Sequence, residues 1–199
     1  MNPIFQNRDI ILASSSPRRR ELLTGLGIPF RVAAPYAVEE VYPAGTAPHA
    51  VPAYLSALKS NAYPQPLTNR QILLTADTVV IHSGQVIGKP QDAADAARIL
   101  RQLAASTHEV VTGITLRDNR RTVTCSETAR VTFGPLSDDE ITYYVDTYRP
   151  MDKAGAYGIQ EWIGYIGIER IEGSFYNVMG LPTRLLYTTL IDFIQTANS

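Results

Sequence analysis

Residues 10–27 read I-I-L-A-S-S-S-P-R-R-R-E-L-L-T-G-L-G, and no other run narrows the fold as far. An extended apolar segment (Ile10, Ile11, Leu12) passes through three serines straight into a helical pattern. Ser16 suits the N-cap and Pro17 the first helical position. Leu22, Leu23 and Leu26 supply an apolar stripe, and Gly25 or Gly27 stops the turn. The run therefore predicts a strand followed directly by a helix, with Arg18, Arg19 and Arg20 in the first turn. A helix N-terminus carries about half a positive charge, so each cation there costs about 0.3 to 1 kcal/mol. An anion would offset that cost, and backbone N–H groups, the hydroxyls of Ser14 and Ser16 and guanidinium forks together match phosphate oxygens. The competing reading leaves the arginines in water or paired with Glu21. Neither a G-x-x-x-x-G-K-[ST] loop nor a G-x-G-x-x-G turn occurs.

Composition narrows the rest. With 199 residues, 45% hydrophobic and 19% charged, the chain fits one sizeable globular domain over residues 1–199, with enough apolar surface for a core. A net charge of -1 argues against a general nucleic-acid or anionic-membrane binder. Cys125 is the only cysteine, which excludes an intrachain disulfide and a cysteine-based metal site. No apolar run approaches the roughly 18 residues of a membrane span, and the N-terminus lacks a signal-peptide pattern, so a reducing cytoplasm is the expected compartment.

Further along, Phe30 to Ala34 reads as a short strand and Tyr36 to Gly45 as a loop holding Glu39 and Glu40. Thr46 and Pro48 open a second helix with Val51, Tyr54, Leu55 and Leu58 at helical spacing. Lys59 lies one position beyond that stripe, where a solvated lysine is the default. Ile72 to Leu74 is a short buried-strand candidate running into Thr75, Ala76, Asp77 and Thr78. Val79 to Ile81 and Gln85 to Ile87 flank a hairpin turn at His82-Ser83-Gly84. An aspartate between apolar runs is costly unless paired or metal-bound, and a turn-forming aspartate fits Asp77 equally well. Gly88-Lys89-Pro90 is a tight loop presenting one lysine, and Asp92 caps a helix over Ala93 to Leu103. Two long β segments follow, then an S-x-x-E capping box (Ser137, Glu140), a glycine-punctuated stretch around Lys153 to Gln160, a strand over Ile163 to Ile171, and a last helix from Pro182. Strands alternating with helices, then an antiparallel hairpin, predict a mixed α/β domain. His49, His82 and His108 show no metal-ligand spacing and read as structural or surface residues.

The loops thus gather cations (Arg18, Arg19, Lys59, Lys89, Lys153) and carboxylates (Glu39, Glu40, Asp77) without a recognisable nucleophile–base pair. That set suits a polyphosphate bound through a hard divalent cation, Mg²⁺ or Mn²⁺, and hydrolysed by an oriented water. Attack at the α-phosphorus would release pyrophosphate and attack at the γ-phosphorus orthophosphate. The residues alone do not choose.

Six motifs carry a resemblance. Ser14-x-Ser16-Pro17-Arg18-Arg19-x-Glu21-Leu22-Leu23, Ala76-Asp77-Thr78-Val79-Val80, Gly88-Lys89-Pro90, His108-x-Val110-x-Thr112-Gly113, Lys153 to Gln160 and Asn177-Val178-x-Gly180-Leu181-Pro182 occur in this order and cover about Asp9 to Leu190. In this the chain resembles the Maf family of nucleoside triphosphate pyrophosphatases. The resemblance implies an elongated mixed sheet flanked by helices, two lobes around a cleft, similar to inosine triphosphate pyrophosphatases. It also implies cleavage of the α-β bond to a monophosphate and pyrophosphate, a divalent cation, and a homodimer. Asp77 then looks like the proton acceptor and, with Glu40, a metal ligand. Arg19, Lys59 and Lys89 match positions that contact the triphosphate, and Lys153 joins them on its charge and setting. The branch acting on dTTP and UTP is similar to this chain in Arg18, Thr78 and Gln160, where the branch acting on 7-methylguanosine triphosphate tends to carry Trp, Gln and Glu. A Gln amide offers a donor and an acceptor to the O4 and N3–H edge of uracil or thymine. One departure stands out: the family usually has Gly after Ile-Gln, whereas this chain has Glu161-Trp162. Pyrophosphatases for methylated guanosine or other non-standard nucleotides, and a nucleotide-binding regulator of septum formation, are the alternatives.

Overall fold

The computed structural model describes residues 3–196. A short 3-10 turn precedes β1 (Asp9–Leu12), then come α1 (Pro17–Gly25), β2 (Phe30–Val32), α2 (Val51–Asn61), β3 (Gln71–His82) and β4 (Gln85–Ile87). The second half holds α3 (Ala93–Leu103), β5 (Thr107–Arg117), β6 (Thr122–Phe133), α4 (Asp138–Tyr148), α5 (Trp162–Gly167), β7 (Ile168–Glu172), α6 (Phe175–Met179) and α7 (Thr183–Gln195). Seven strands form one mixed sheet in the order β2-β1-β3-β5-β6-β7, with β4 beside β3, as the mixed α/β reading expects. The chain divides into two compact units: the first comprises Met1–Asp77, Thr112–Glu127 and Gly180–Ser199, the second Thr78–Val111 and Thr128–Met179. Strands β3, β5 and β6 each give residues to both.

In the first unit β1 lies parallel between β2 and β3, Ile10 facing Phe30 on one side and Ile72 on the other. Ile10, Ile11, Leu12, Leu73 and Leu74 are all buried, the near-continuous apolar run of a parallel strand covered on both faces. α1 begins as its sequence requires, with Ser16 as N-cap accepting from Arg19 N–H and Pro17 at the first turn. Two expectations change. β3 is one continuous strand, so Asp77 sits in its interior and not in a turn. The buried face of α2 is Val51, Pro52, Leu55, Ser56 and Ser60, while Tyr54 is exposed. The cause is close approach to β5: a Cβ on Gly113 would stand 2.4 Å from the Pro52 carbonyl carbon. Hydroxyls then pin the helix, since Thr75 Oγ1 donates to Ser56 O (2.7 Å) and Ser56 Oγ shares a proton with Thr115 Oγ1 (2.8 Å).

In the second unit β3 reverses into β4 through Ser83 (φ 50) and Gly84 (φ 75), the two positive-φ residues that a tight hairpin of type I′ demands. Asp92 caps α3, whose buried face is Ala96, Ile99, Leu100 and Leu103. Ser137 and Glu140 close a complete capping box on α4. The strand expected over Ile163 to Ile171 is instead α5 followed by the five-residue β7. Gly164 is responsible: its N–H donates to Glu161 O (2.8 Å), and a Cβ on it would fall 1.8 Å from Ile159 O. That contact closes a helical turn, and Tyr165 and Ile166, apolar enough to suggest a strand, remain exposed.

Candidate functional site

The first unit assembles its charged residues from four segments: α1, the loop holding Glu40, α2 and β3. α1 brings Arg19, whose backbone N–H donates to Ser16 Oγ (3.4 Å) and whose guanidinium donates to Ser14 Oγ (3.4 Å) and to Gly180 O (2.8 Å). Ser14 Oγ also accepts from Ser16 N–H (3.2 Å), so the serine loop folds back on the helix start it caps. Arg18 is half-buried, and Arg20 turns to solvent. The three arginines therefore separate by placement, and Arg19 is braced by the serines of its own motif. The carbonyl of Gly180, which sequence reading quoted only as part of a motif, is its brace; a glycine followed by Leu-Pro was the available signal.

α2 brings Lys59, and β3 brings Asp77. Lys59 Nζ lies 2.6 Å from Asp77 Oδ1 and 2.9 Å from Glu40 Oε2. Lys59 is not the solvated lysine of the default reading, since its side chain is only 16% exposed against 10% for Asp77 and 46% for Glu40. The loop holding Glu40 is tied to the same helix by Tyr36, whose hydroxyl donates to Lys59 O (2.8 Å) and whose ring meets Tyr63 edge-on. Burial raises the Asp77 pKa above the usual carboxylate value; the Lys59 ammonium and then Arg19 pull it down without cancelling that effect, and Glu40 adds to it. Burial likewise lowers the Arg19 pKa, against the attraction of Asp77. Arg19, Lys59, Asp77 and Glu40 thus form one electrostatically coupled group. Glu39 is exposed.

Among the described residues no group of three or more His, Cys, Asp or Glu side chains could hold a metal. Asp77 and Glu40 supply two carboxylates meeting at one ammonium, a hard oxygen pair. That donor set fits Mg²⁺ or Mn²⁺ of the kind bound by one or two carboxylates plus substrate phosphates, not an all-protein cage.

In the second unit Thr78 follows Asp77 on β3, and Lys89 is exposed in its loop. Gly88 O of that loop accepts from Gly155 N–H (3.1 Å), which brings the Gly-Lys-Pro and Lys-Ala-Gly motifs together. Gly155 (φ 70) lies against Val80, with no room for a Cβ: Val80 Cγ2 would be 2.7 Å away. Lys153 is buried, its ammonium 2.8 Å from Asp152 Oδ1 and 3.2 Å from Glu161 Oε1. Gln160 is half-buried, and its Oε1 is enclosed without a hydrogen-bond partner among the described residues. His108 is a core residue, as expected: it shares a proton with Tyr157 Oη (2.8 Å), and burial lowers its pKa to about 4. Sequence reading missed Tyr144, whose buried hydroxyl donates to Glu161 Oε2 and accepts from Gly158 N–H; an inward tyrosine on a capped helix gave no sign of its partner.

Residues 9–193 match the family described as "Maf-like protein". A relative from Porphyromonas gingivalis named "dTTP/UTP pyrophosphatase" is 55% identical over 186 residues, covering 92% of this chain and 94% of its own. Relatives of the same name from Bacteroides thetaiotaomicron (49% identical; 91% and 94% covered) and Flavobacterium psychrophilum (44%; 94% and 96%) match similarly. Among solved structures, a HAM1 protein from Coxiella burnetii aligns with 93% of this chain and 99% of its own at 16% identity and a TM-score of 0.46.

Proposed function

From the premise that the chain belongs to the Maf-like protein family, we propose that it is a nucleoside triphosphate pyrophosphatase acting on dTTP and UTP. The names of its relatives support that substrate choice. The observation that carries the chemistry is the Lys59 ammonium between Asp77 and Glu40, with Arg19 in the same electrostatic group.

In this reading a water attacks the α-phosphorus; the new P–O bond forms as the bridge to the β-phosphorus breaks, and pyrophosphate leaves with that oxygen. Asp77 accepts the proton from the attacking water, a task suited to a carboxylate whose burial has raised its pKa. Lys59 orients that carboxylate and, with Arg19, meets the charge that grows on phosphoryl oxygens. Ser14 and Ser16 hold Arg19 in place and line the α1 N-terminus, where free N–H groups favour anions. A divalent cation held by Asp77, Glu40 and phosphate would neutralise the triphosphate and make a bound water more acidic. Base reading falls to Gln160 on the strength of the family pattern, its amide offering one donor and one acceptor. Arg18, Thr78 and Lys89 keep supporting roles at the substrate on the strength of the family pattern, and Lys153 on its charge and glycine-rich setting. By the same resemblance we read the protein as a homodimer, and from its composition as a protein of the cytoplasm; sedimentation and fractionation test the two.

The deciding experiment incubates the purified protein with UTP or dTTP and Mg²⁺ and resolves the products. Monophosphate and pyrophosphate are expected. Orthophosphate as the first product, or faster turnover of 7-methylguanosine triphosphate than of either pyrimidine, would overturn the reading.

A further inference from the structure

Glu40 has no helix or strand to hold it. Residues 33–47 form neither, and this segment is tied to the rest of the first unit by Ala33 N–H donating to Leu12 O (2.9 Å), by the Tyr36 hydroxyl donating to Lys59 O (2.8 Å) and by Glu40 itself on the Lys59 ammonium (2.9 Å). The last tie is a poor anchor, since Glu40 is nearly half exposed and an ion pair in water contributes little. Tyr36 is a better one. Its ring packs against the buried cluster of Ile11, Ala13, Tyr63 and Leu73, meeting Tyr63 edge-on at 5.6 Å. Burial raises its pKa against the pull of the Arg117 guanidinium, with Tyr63 adding, so the phenol stays protonated as a donor. Its acceptor, Lys59 O, belongs to the last turn of α2, where carbonyls lack an intrahelical donor. One hydrogen bond thus caps the helix and fastens the loop.

Of the two partners the loop is the one with freedom to move. α2 is held independently by Thr75 Oγ1 on Ser56 O, by Ser56 Oγ with Thr115 Oγ1, and by Arg117 Nε donating to Ser60 Oγ (3.1 Å). Without the phenol the nearest upstream tie is Ala33, and the chain from there to Glu40 can reach up to about 25 Å; from Tyr36 it reaches up to about 14 Å. The bond to Lys59 O therefore keeps the Glu40 carboxylate close to the same lysine whose ammonium meets Asp77.

We infer that Tyr36 is a positioning residue for the divalent cation: its hydroxyl on Lys59 O anchors the loop that carries Glu40, so that the Glu40 and Asp77 carboxylates are presented together at the end of α2. This rests on the assignment of Glu40 to the cation.

The test titrates Mn²⁺ into the full-length protein holding a UTP analogue with a methylene in place of the α-β bridging oxygen, and reads bound metal by electron paramagnetic resonance. The proteins are the unaltered chain, Tyr36→Phe, Glu40→Gln and the double variant, with a thermal melt of each. Tyr36→Phe keeps the ring against Tyr63 and removes the donor. It is expected to weaken Mn²⁺ binding about five-fold, the worth of one ordinary hydrogen bond. In UTP hydrolysis the same variant is expected to need correspondingly more Mn²⁺ for half-maximal rate, with kcat at saturating metal within about two-fold. In the Glu40→Gln background the Tyr36 change is expected to add less than about two-fold, because the carboxylate it positions is gone. Amide exchange over residues 37–42 in the nucleotide-free protein supplies a second readout, expected to quicken in Tyr36→Phe while residues 51–58 keep their rate. Weaker Mn²⁺ binding in Glu40→Gln but not in Tyr36→Phe overturns the inference and leaves the assignment of Glu40 standing. Binding untouched by Glu40→Gln overturns both. A Tyr36→Phe effect of equal size with and without Glu40, or a lowered melting temperature with loop exchange and Mn²⁺ binding unchanged, reduces Tyr36 to a structural residue and overturns the inference.

Discussion

The Lys59 ammonium sits 2.6 Å from Asp77 Oδ1, joining the last turn of α2 to the interior of β3. Both side chains are mostly withdrawn from water, yet burial still leaves the aspartate harder to ionise than an exposed one. The pair ties α2 to the sheet, and in the proposed mechanism its aspartate is also the base; the two roles separate by mutation.

Asp77→Asn keeps the size of the side chain and removes the proton acceptor. Hydrolysis of UTP is expected to fall by about 10² to 10⁴, the usual worth of a general base, while calorimetry still detects nucleotide binding. Unchanged turnover would remove Asp77 from the chemistry.

Lys59→Met leaves a buried carboxylate without its ammonium. Urea unfolding is expected to show a loss of about 3 kcal/mol, the lower end for breaking a buried pair because Glu40 is half in water. Activity falls with it, as both the orientation of Asp77 and a cation at the phosphates are lost.

The pH dependence carries a definite sign. The folded-state pKa of Asp77 lies above 3.8, so at pH values just above 3.8 the native state keeps a proton that the unfolded chain has released. The Asp77 contribution to stability is then fully present below 3.8 and declines as pH rises through the raised folded value. Comparing unfolding of the unaltered chain with Asp77→Asn across pH 4 to 7 (about the range where carboxylates shifted upward titrate) isolates that slope, expected to be lost in the variant. Catalysis runs oppositely: its acid limb should lie above 3.8 and move further up when Lys59, which pulls the pKa down, is replaced.

Chelation with EDTA is expected to stop hydrolysis, and Mg²⁺ or Mn²⁺ to restore it. Glu40→Gln should raise the metal concentration needed for half-maximal rate by about ten-fold or more. An identical metal requirement would exclude Glu40 as a ligand.

Gly113→Ala would drive a methyl group against the backbone of Pro52 and Ala53, at 2.4 and 2.5 Å. Backbone cannot step aside as a flexible side chain does, so a loss of about 1 to 3 kcal/mol is expected, together with a fall in kcat as α2 carries Lys59 away from Asp77. As a control, Ser137→Ala removes half of the α4 capping box, costing about 1 kcal/mol with kcat and KM for UTP unchanged.

Local chemistry made much of this fold legible. Ser16-Pro17, Asp92 and the Ser137–Glu140 box start α1, α3 and α4 where the residues say they should, because caps are decided within four residues. α5 was not legible, since the contact that makes residues 162–167 helical is between Gly164 and the backbone of Ile159, which an Ile-Gly-Tyr-Ile pattern does not announce. The face of α2 was misjudged for a related reason: serines buried by hydrogen bonds to Thr75 and Thr115 outweighed the apolar spacing of Tyr54 and Leu58. Asp77 stood out as an acid beside apolar runs while Lys59 read as a solvated lysine, and with 17 residues between them their pairing exists only once α2 lies on the sheet.

The bare backbone at position 113 therefore governs where an ammonium rests several residues away on another element. A search for altered catalysis that begins with charged side chains would pass it by, and a library that varied it would return inactive clones whose acids and bases were all still in place.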